Sequence, residues 1–254
     1  MKRRSGRIEI IGLHTLPEMR EGDDLVRELE KAALREGVEI ADGDVIVLTQ
    51  KVVSKAEGRQ VDLREVTPGA LARAWARKLR GDARLIEVVL RESVRVVRMS
   101  ERALITETRH GFVCANAGVD RSNIPGRDFV TCLPVDPDGT ARRFVHRIRL
   151  RLGVRVAAVV ADTFGRPWRL GLTNVAIGAA GLRVLQDWRG RRDAQGHTLH
   201  ATVLAVADEL AAAAGLAMGK TKRVPVVIIR GFPYRRGKDS ARRLIRAAKQ
   251  DLFR

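Results

Sequence analysis

Three short and almost uninterrupted apolar runs limit what this chain can become. Asp44–Thr49 carries Val45, Ile46, Val47 and Leu48 in succession, Val154–Val160 is very apolar, and Val224–Ile229 is the third. The first reads as a buried strand and the other two as strands. A further strand is expected over Arg7–Leu13. Helix-like segments separate them: Gly22-Asp23-Asp24 opens a helix through about Arg35 with an acidic first turn, and Pro68–Arg80 and Ala141–Leu152 also read as helix. Such alternation makes a mixed α/β (α+β) architecture, although the order of strands cannot be read from it.

The remaining segments are assigned more coarsely. Glu87–Arg98 fits helix and strand equally, and short strands are expected at Ala103–Thr106 and Phe112–Cys114. Gly118–Gly139, rich in Asp, Asn, Pro and Gly, reads as a long irregular connection of the kind that carries sites. A long alanine-rich helix is expected from Thr198 to about Met218, and a basic terminal helix over Ser240–Leu252. With 254 residues the chain fits one catalytic unit over 1–254, built as one domain or two closely packed lobes.

Composition narrows the class. Hydrophobic residues at 45% against 31% charged describe a globular chain, and the net charge of +18 favours anionic partners. Nucleic acid is one such partner. Aromatics at only 4%, with no RNP, KH or helix-turn-helix pattern, argue against it and leave a nucleic-acid-binding protein as the alternative reading. Cys114 and Cys132 are not at zinc-ligand spacing and read as buried thiols. The basic N-terminus lacks the features of a signal peptide, and the apolar stretches Val154–Ala161 and Leu210–Met218 are shorter than the ~20 residues of a bilayer span. A soluble, cytoplasmic enzyme with no membrane partner is expected.

Candidate chemistry gathers at a few positions. Asp162-Thr163 follows the most apolar strand, where a carboxylate and a hydroxyl can hold a hard divalent ion or simply cap the next element. Asp120 lies among small residues in Asn116–Asn123, either a second ligand or an Asx-turn. Gly219-Lys220-Thr221 resembles the end of a P-loop, but Ala214 stands where the motif needs glycine, so a true P-loop is excluded. Lys55, just past the strand Asp44–Thr49, is either a phosphate contact or a solvated loop lysine. The five histidines are scattered and take no catalytic role.

The ordered series of segments gives these signals a common meaning. Leu16-Pro17-Glu18, Gly22-Asp23-Asp24-Leu25, Val53-Ser54-Lys55-Ala56-Glu57-Gly58-Arg59, Asn116-Ala117-Gly118-Val119-Asp120, Leu133-Pro134-Val135-Asp136, Asp162-Thr163-Phe164-Gly165-Arg166, Ala176-Ile177-Gly178, Asp187-Trp188 and Arg230-Gly231 occur in sequence. Together they resemble the coenzyme F420-0:L-glutamate ligase family from about residue 8 to the C-terminus. The resemblance implies an enzyme that phosphorylates the terminal carboxylate of a deazaflavin coenzyme precursor with GTP and joins L-glutamate to the acyl phosphate, with later glutamates γ-linked. It implies Mg²⁺ or Mn²⁺, as a pair of ions, on Asp120, Asp162 and Thr163, with K⁺ as a further cation. Nucleotide contacts carry over to Leu16, Pro17, Glu18, Met19, Lys55 and Asn123, with Gln50, Gly219 and Lys220 as further candidates. Asp120 and Asp162 are the catalytic pair.

The implied partners are GTP, L-glutamate, coenzyme F420-0 and a second copy in a homodimer. A ligase of the same fold with another acidic acceptor is the nearest variant of this reading. Gln50 replaces a serine common in the family, and the stretch after Met218 lacks a glycine-rich segment and glutamine, as in the bacterial branch. The reductase-like extension of some relatives is not expected here.

Overall fold

The computed structural model describes residues 6–100, 103–121 and 128–251. Its centre is a five-stranded mixed sheet in the order β1-β12-β2-β8-β9, formed by β1 (Glu9–Leu13), β2 (Val45–Thr49), β8 (Ala157–Arg166), β9 (Arg169–Ala180) and β12 (Val226–Arg230). β2 and β8 run parallel, while the other neighbouring pairs are antiparallel. The unbroken apolar runs have a direct physical cause. Ile46, Leu48, Ala158, Val160, Val226 and Ile228 point to one face, under α1 (Leu25–Arg35) and α5 (Pro137–Leu152). Val45, Val47, Ala157, Val159, Val227 and Ile229 point to the other, under α6 (Val206–Met218). With both faces covered, polar alternation would bury unpaired side chains.

Local signals fix the covering helices. The Asp24 carboxylate caps α1 by accepting from the Val26 and Arg27 amides, and Val26, Leu29, Ala32 and Ala33 form its buried stripe. In α5, Asp136 accepts from Gly139 N, Pro137 occupies the first turn, and Gly153 ends the helix at φ 72°. Arg151 spans to Glu30 at 2.7 Å and ties α5 to α1. Gly178 is needed where β9 passes the start of α5, since a Cβ there would stand 2.5 Å from the Pro137 carbonyl.

Residues 60–131 build a second layer of structure beside one end of the sheet. β3 (Gln60–Asp62) pairs with β7 (Phe129–Thr131), α3 (Ala70–Leu79) packs on α4 (Ala83–Arg91), and β4 (Ser93–Ser100), β5 (Ala103–Thr108) and β6 (Val113–Ala115) form an antiparallel meander. Leu63, Val88, Val89, Leu104, Val130 and Cys132 form its core. Both cysteines are buried, and burial pushes each thiol up to about 12. Among the described residues no helix is long and apolar enough to cross a membrane.

Several expectations need correction. Glu87–Arg98 is neither all helix nor all strand, because α4 ends at Arg91 and β4 begins at Ser93. The supposedly irregular Gly118–Gly139 contains β7 and the first turn of α5. β8 does not stop before Asp162 but continues to Arg166 and turns into β9, a strand the sequence reading did not identify. α2 (Gln50–Ala56) follows β2 without a loop, so Lys55 is helical. The helix expected from Thr198 starts only at Val206. The stretch before it instead forms β11 (Val203–Leu204), which pairs with β10 (Gln186–Asp187), and makes bonds such as Leu199 N to Arg191 O at 2.8 Å. Of the terminal helix expected over Ser240–Leu252, the described part, through residue 251, forms two 3-10 turns at Ala241–Leu244 and Ala248–Gln250. The buried Asp138 carboxylate holds Ala241 N at 2.8 Å, which fixes the chain by a tertiary contact before a helix can propagate.

Candidate active site

The end of the sheet where β2 finishes opens into a cleft of about 1160 Å³. Five segments converge on it: the loop after β1, the start of α2, the chain from Cys114 to Asp120, the outer half of the β8–β9 hairpin and the connection between α6 and β12. Sheet order arranges them laterally. The Leu16–Met19 loop follows β1 at one edge, the β8–β9 hairpin lies at the other edge, and α2 stands between.

Asp120 enters this cleft from the second layer. Its backbone is clamped to Thr131 by two hydrogen bonds, of 3.0 and 2.9 Å, and its carboxylate meets Lys51 Nζ at 2.8 Å. The chain immediately before it is unusual. Asn116, Ala117 and Gly118 all have positive φ, at 52°, 54° and 71°, a left-handed turn that costs roughly 1–2 kcal/mol for each non-glycine residue. Such strain persists only where the surroundings enforce it, and here it directs the chain toward the cleft.

Asp162 comes from β8, one residue past the last pair with β2, Thr49↔Ala161. Burial pushes its carboxyl up to about 6, the charge of Asp120 pushes in the same direction, and the hydrogen bond from Thr163 N at 2.8 Å partly opposes both. The two carboxylates therefore interact across the cleft. Next to them, Thr163 donates to Asn174 Oδ1 at 2.8 Å and accepts from Lys220 Nζ at 2.6 Å.

The residues expected to contact nucleotide meet in the same cleft, Asn123 aside. Leu16, Pro17, Glu18 and Met19 line the cleft together with Gln50, Lys55, Gly219 and Lys220. Lys55 is 5% exposed and its ammonium pairs with Glu18. It is thus a buried cation facing the loop, not a solvated lysine. Gln50 is buried, and its amide donates to Ser54 Oγ at 2.8 Å and Cys132 O at 3.1 Å. Asn123 lies outside the described residues.

Three participants escaped the sequence reading. Lys51 precedes Lys55 by four residues and so shares its helix face, a signal that recognition of α2 would have exposed. Asn174 lies on the unrecognised β9, and His14 lines the cleft just after β1 with no surrounding motif. Among the described residues no three His, Cys, Asp or Glu side chains cluster as a complete metal site. What the cleft offers is a hard-oxygen set: two carboxylates, one strained toward protonation, and the Thr163 hydroxyl beside them. A divalent cation with phosphate or water oxygens completing its shell fits that set, and its charge would offset the burial and, to a lesser degree, the Asp120 repulsion that raise the Asp162 pKa.

Comparison with known proteins gives a consistent picture. Residues 14–231 match the family model described as F420-0:Gamma-glutamyl ligase. The coenzyme F420:L-glutamate ligase of Methanothermobacter thermautotrophicus is 42% identical over 250 residues, covering 97% of this chain and 99% of the relative. The protein of the same description from Methanopyrus kandleri is 43% identical over 253 residues, covering 98% and 97%, and that from Methanocaldococcus jannaschii is 38% identical over 249 residues with the same coverage.

Proposed function

The chain belongs to the F420-0:gamma-glutamyl ligase family, and from that premise we propose that the cleft joins L-glutamate to coenzyme F420-0 at the expense of GTP. Ligation of glutamate in coenzyme F420 biosynthesis follows from the family itself. The finer reading concerns how this chain performs it. The terminal carboxylate of the acceptor attacks the γ-phosphorus of GTP and GDP departs. The α-amine of glutamate, having lost a proton, then attacks the acyl carbonyl and expels phosphate, forming the amide. Further γ-linked glutamates and a homodimer belong to the same proposal.

The observation that carries the reading is the convergence of Asp120 and Asp162, from distant parts of the chain, between Lys51, Lys55 and Lys220 in one cleft. Asp120, Asp162 and Thr163 would hold Mg²⁺ or Mn²⁺, which when bound neutralises phosphate charge and orients in-line transfer. Lys51 fixes the Asp120 carboxylate. Lys55, drawn from Glu18 toward the nucleotide, adds a point charge for a phosphate oxygen while the Leu16–Met19 loop encloses the nucleotide. Lys220 holds the Thr163 hydroxyl in place. A K⁺ ion would find carbonyl and carboxylate oxygens in the same cleft.

The test is direct. Purified protein with GTP, Mg²⁺ or Mn²⁺, L-glutamate and coenzyme F420-0 should yield products heavier by successive glutamate residues in mass spectrometry, with one GDP per addition. Ligation without nucleotide consumption, or with ATP serving better than GTP, would reject this part of the proposal.

A further inference from the structure

The outer half of the β8–β9 hairpin extends beyond the end of β2, so from Asp162 to Arg166 β8 pairs only with β9 in the sheet. One face of this arm carries Thr163 and Gly165 on β8 opposite Asn174 and Leu172 on β9. All four line the cleft. Gly165 contributes no side chain, and a Cβ placed there would meet only Leu172 Cδ2, at 3.8 Å, an ordinary contact. Neither packing nor a left-handed backbone therefore explains the glycine. Its effect is to leave a flat, open floor bordered by Leu172, which is 66% exposed. Phe164, between Thr163 and Gly165, also borders the cleft and makes an edge contact with Phe112 at 6.2 Å between ring centres.

This floor begins two residues, roughly 7 Å, beyond the Thr163 hydroxyl. It lies at the β9 edge of the cleft. The Leu16–Met19 loop belongs to the β1 edge, separated from β9 by four strand spacings or roughly 19 Å. The β1 flank thus carries the Lys55–Glu18 pair, whereas beyond Thr163, whose hydroxyl is held by Lys220, the described cleft lining of the arm presents Gly165 and Leu172 and no charged side chain.

We propose that the Gly165–Leu172 floor of the β8–β9 arm seats the planar deazaflavin portion of the acceptor, directing its carboxylate inward to Asp120 and Asp162 while the nucleotide occupies the opposite flank. This assignment rests on the ligase reading and goes further by dividing the cleft between its two larger substrates. It also gives Gly165 a specificity role. A side chain at that position fits the fold but fills the space over which a flat ring would lie.

Two variants test it, Gly165→Val and, with an exposed side chain whose change does not threaten folding, Leu172→Ser. Each is checked for an unchanged melting temperature, then assayed for steady-state ligation and for separate calorimetric binding of GTP and of coenzyme F420-0. The expected result is a rise of about tenfold or more in KM and Kd for coenzyme F420-0, with the Kd for GTP within twofold of the parent. An unchanged acceptor Kd in both variants overturns the proposal. So does a parallel loss of GTP affinity, which would place the guanine on the floor. Weakened ligation accompanied by a changed mass in light scattering, with acceptor affinity intact, would assign the arm to contacts between copies and also overturn it. Failure of the parent protein to add glutamate at all would reject the ligase reading itself, an outcome distinct from a failure confined to these variants.

Discussion

The two ends of the central sheet handle carboxylates in opposite ways, Asp44 being buried and Asp162 half-buried. At the end where β2 begins, Asp44 is 1% exposed and fully engaged: it accepts from Ala41 N at 2.9 Å and from Arg230 Nε and Nη2 at 2.9 and 2.7 Å. At the other end Asp162 receives one backbone hydrogen bond and faces a second carboxylate, and burial holds its carboxyl near 6. Nothing in the hydrophobic effect requires that difference, since both sites flank the same apolar strands. A carboxylate closed by a guanidinium serves the fold. One whose burial outweighs the pull of nearby Lys51 and Lys220 is a stability cost that a cationic ligand can offset.

Substitutions at the two ends should separate these roles. The largest effect is expected from Asp162→Asn, which should lower metal-dependent ligation about a thousandfold because a neutral amide is a poor ligand for a hard cation in a phosphate site. Adding Asp120→Asn should cost little more, since either change alone disrupts a unit. Kinetic assay of both single variants and the double variant decides the matter, and multiplicative losses would mean the carboxylates act independently.

Asp44→Asn should do the reverse. Removing one partner of the Arg230 pair should destabilise the fold by about 3 kcal/mol, read as a lower denaturant midpoint, with kcat nearly unchanged in the folded fraction. A loss of activity without loss of stability would erase the contrast between the two ends.

The smallest effect tests the sign of the Asp162 shift. Folding raises this carboxyl from 3.8 to about 6, so the native state holds the proton more tightly than the unfolded chain. The charged side chain therefore costs stability progressively as pH climbs between those values, and the cost is constant above them. In metal-free protein near pH 8, Asp162→Asn should be more stable than the parent by about 2 kcal/mol, allowing for the partial exposure of the group. The advantage should fade as pH drops below about 6 and vanish below about 4. Equal melting temperatures in the presence of chelator at both pH extremes would show that the carboxylate is not strained.

The sequence carried the parts of this picture that depend on local pattern. The apolar runs of β2, β8 and β12, the capped start of α1 at Asp24 and the ordered motifs around Lys55, Asp120 and Asp162 were all readable. What it withheld depends on pairing across long separations. β9 mixes Gly, Asn, Ala and Leu without a clear period because it is exposed at its outer end and buried at its inner end. Without that strand, Asp162-Thr163 reads as a cap at the end of β8 and not as the middle of a hairpin arm. Lys55 read as a loop residue because α2 follows β2 with no turn signal, and its pairing with Glu18 joins segments that no local pattern connects.

The position of β12 has a consequence for how the molecule forms. This strand, from residues 226 to 230, is inserted between β1 and β2, pairing Ile11 with Ile228 on one side and Ile46 with Ile228 on the other. The first two strands of the chain cannot touch as neighbours: β2 can pair first with β8, whereas β1 must wait for β12, synthesised some two hundred residues later. Closing loops of that length is entropically slow, so refolding should be governed by chain topology and not by helix formation. On the ribosome, β2 would stay unpaired until β8 emerges and β1 until the last strand slides into the gap, which leaves apolar strand surface open to chaperones for much of translation.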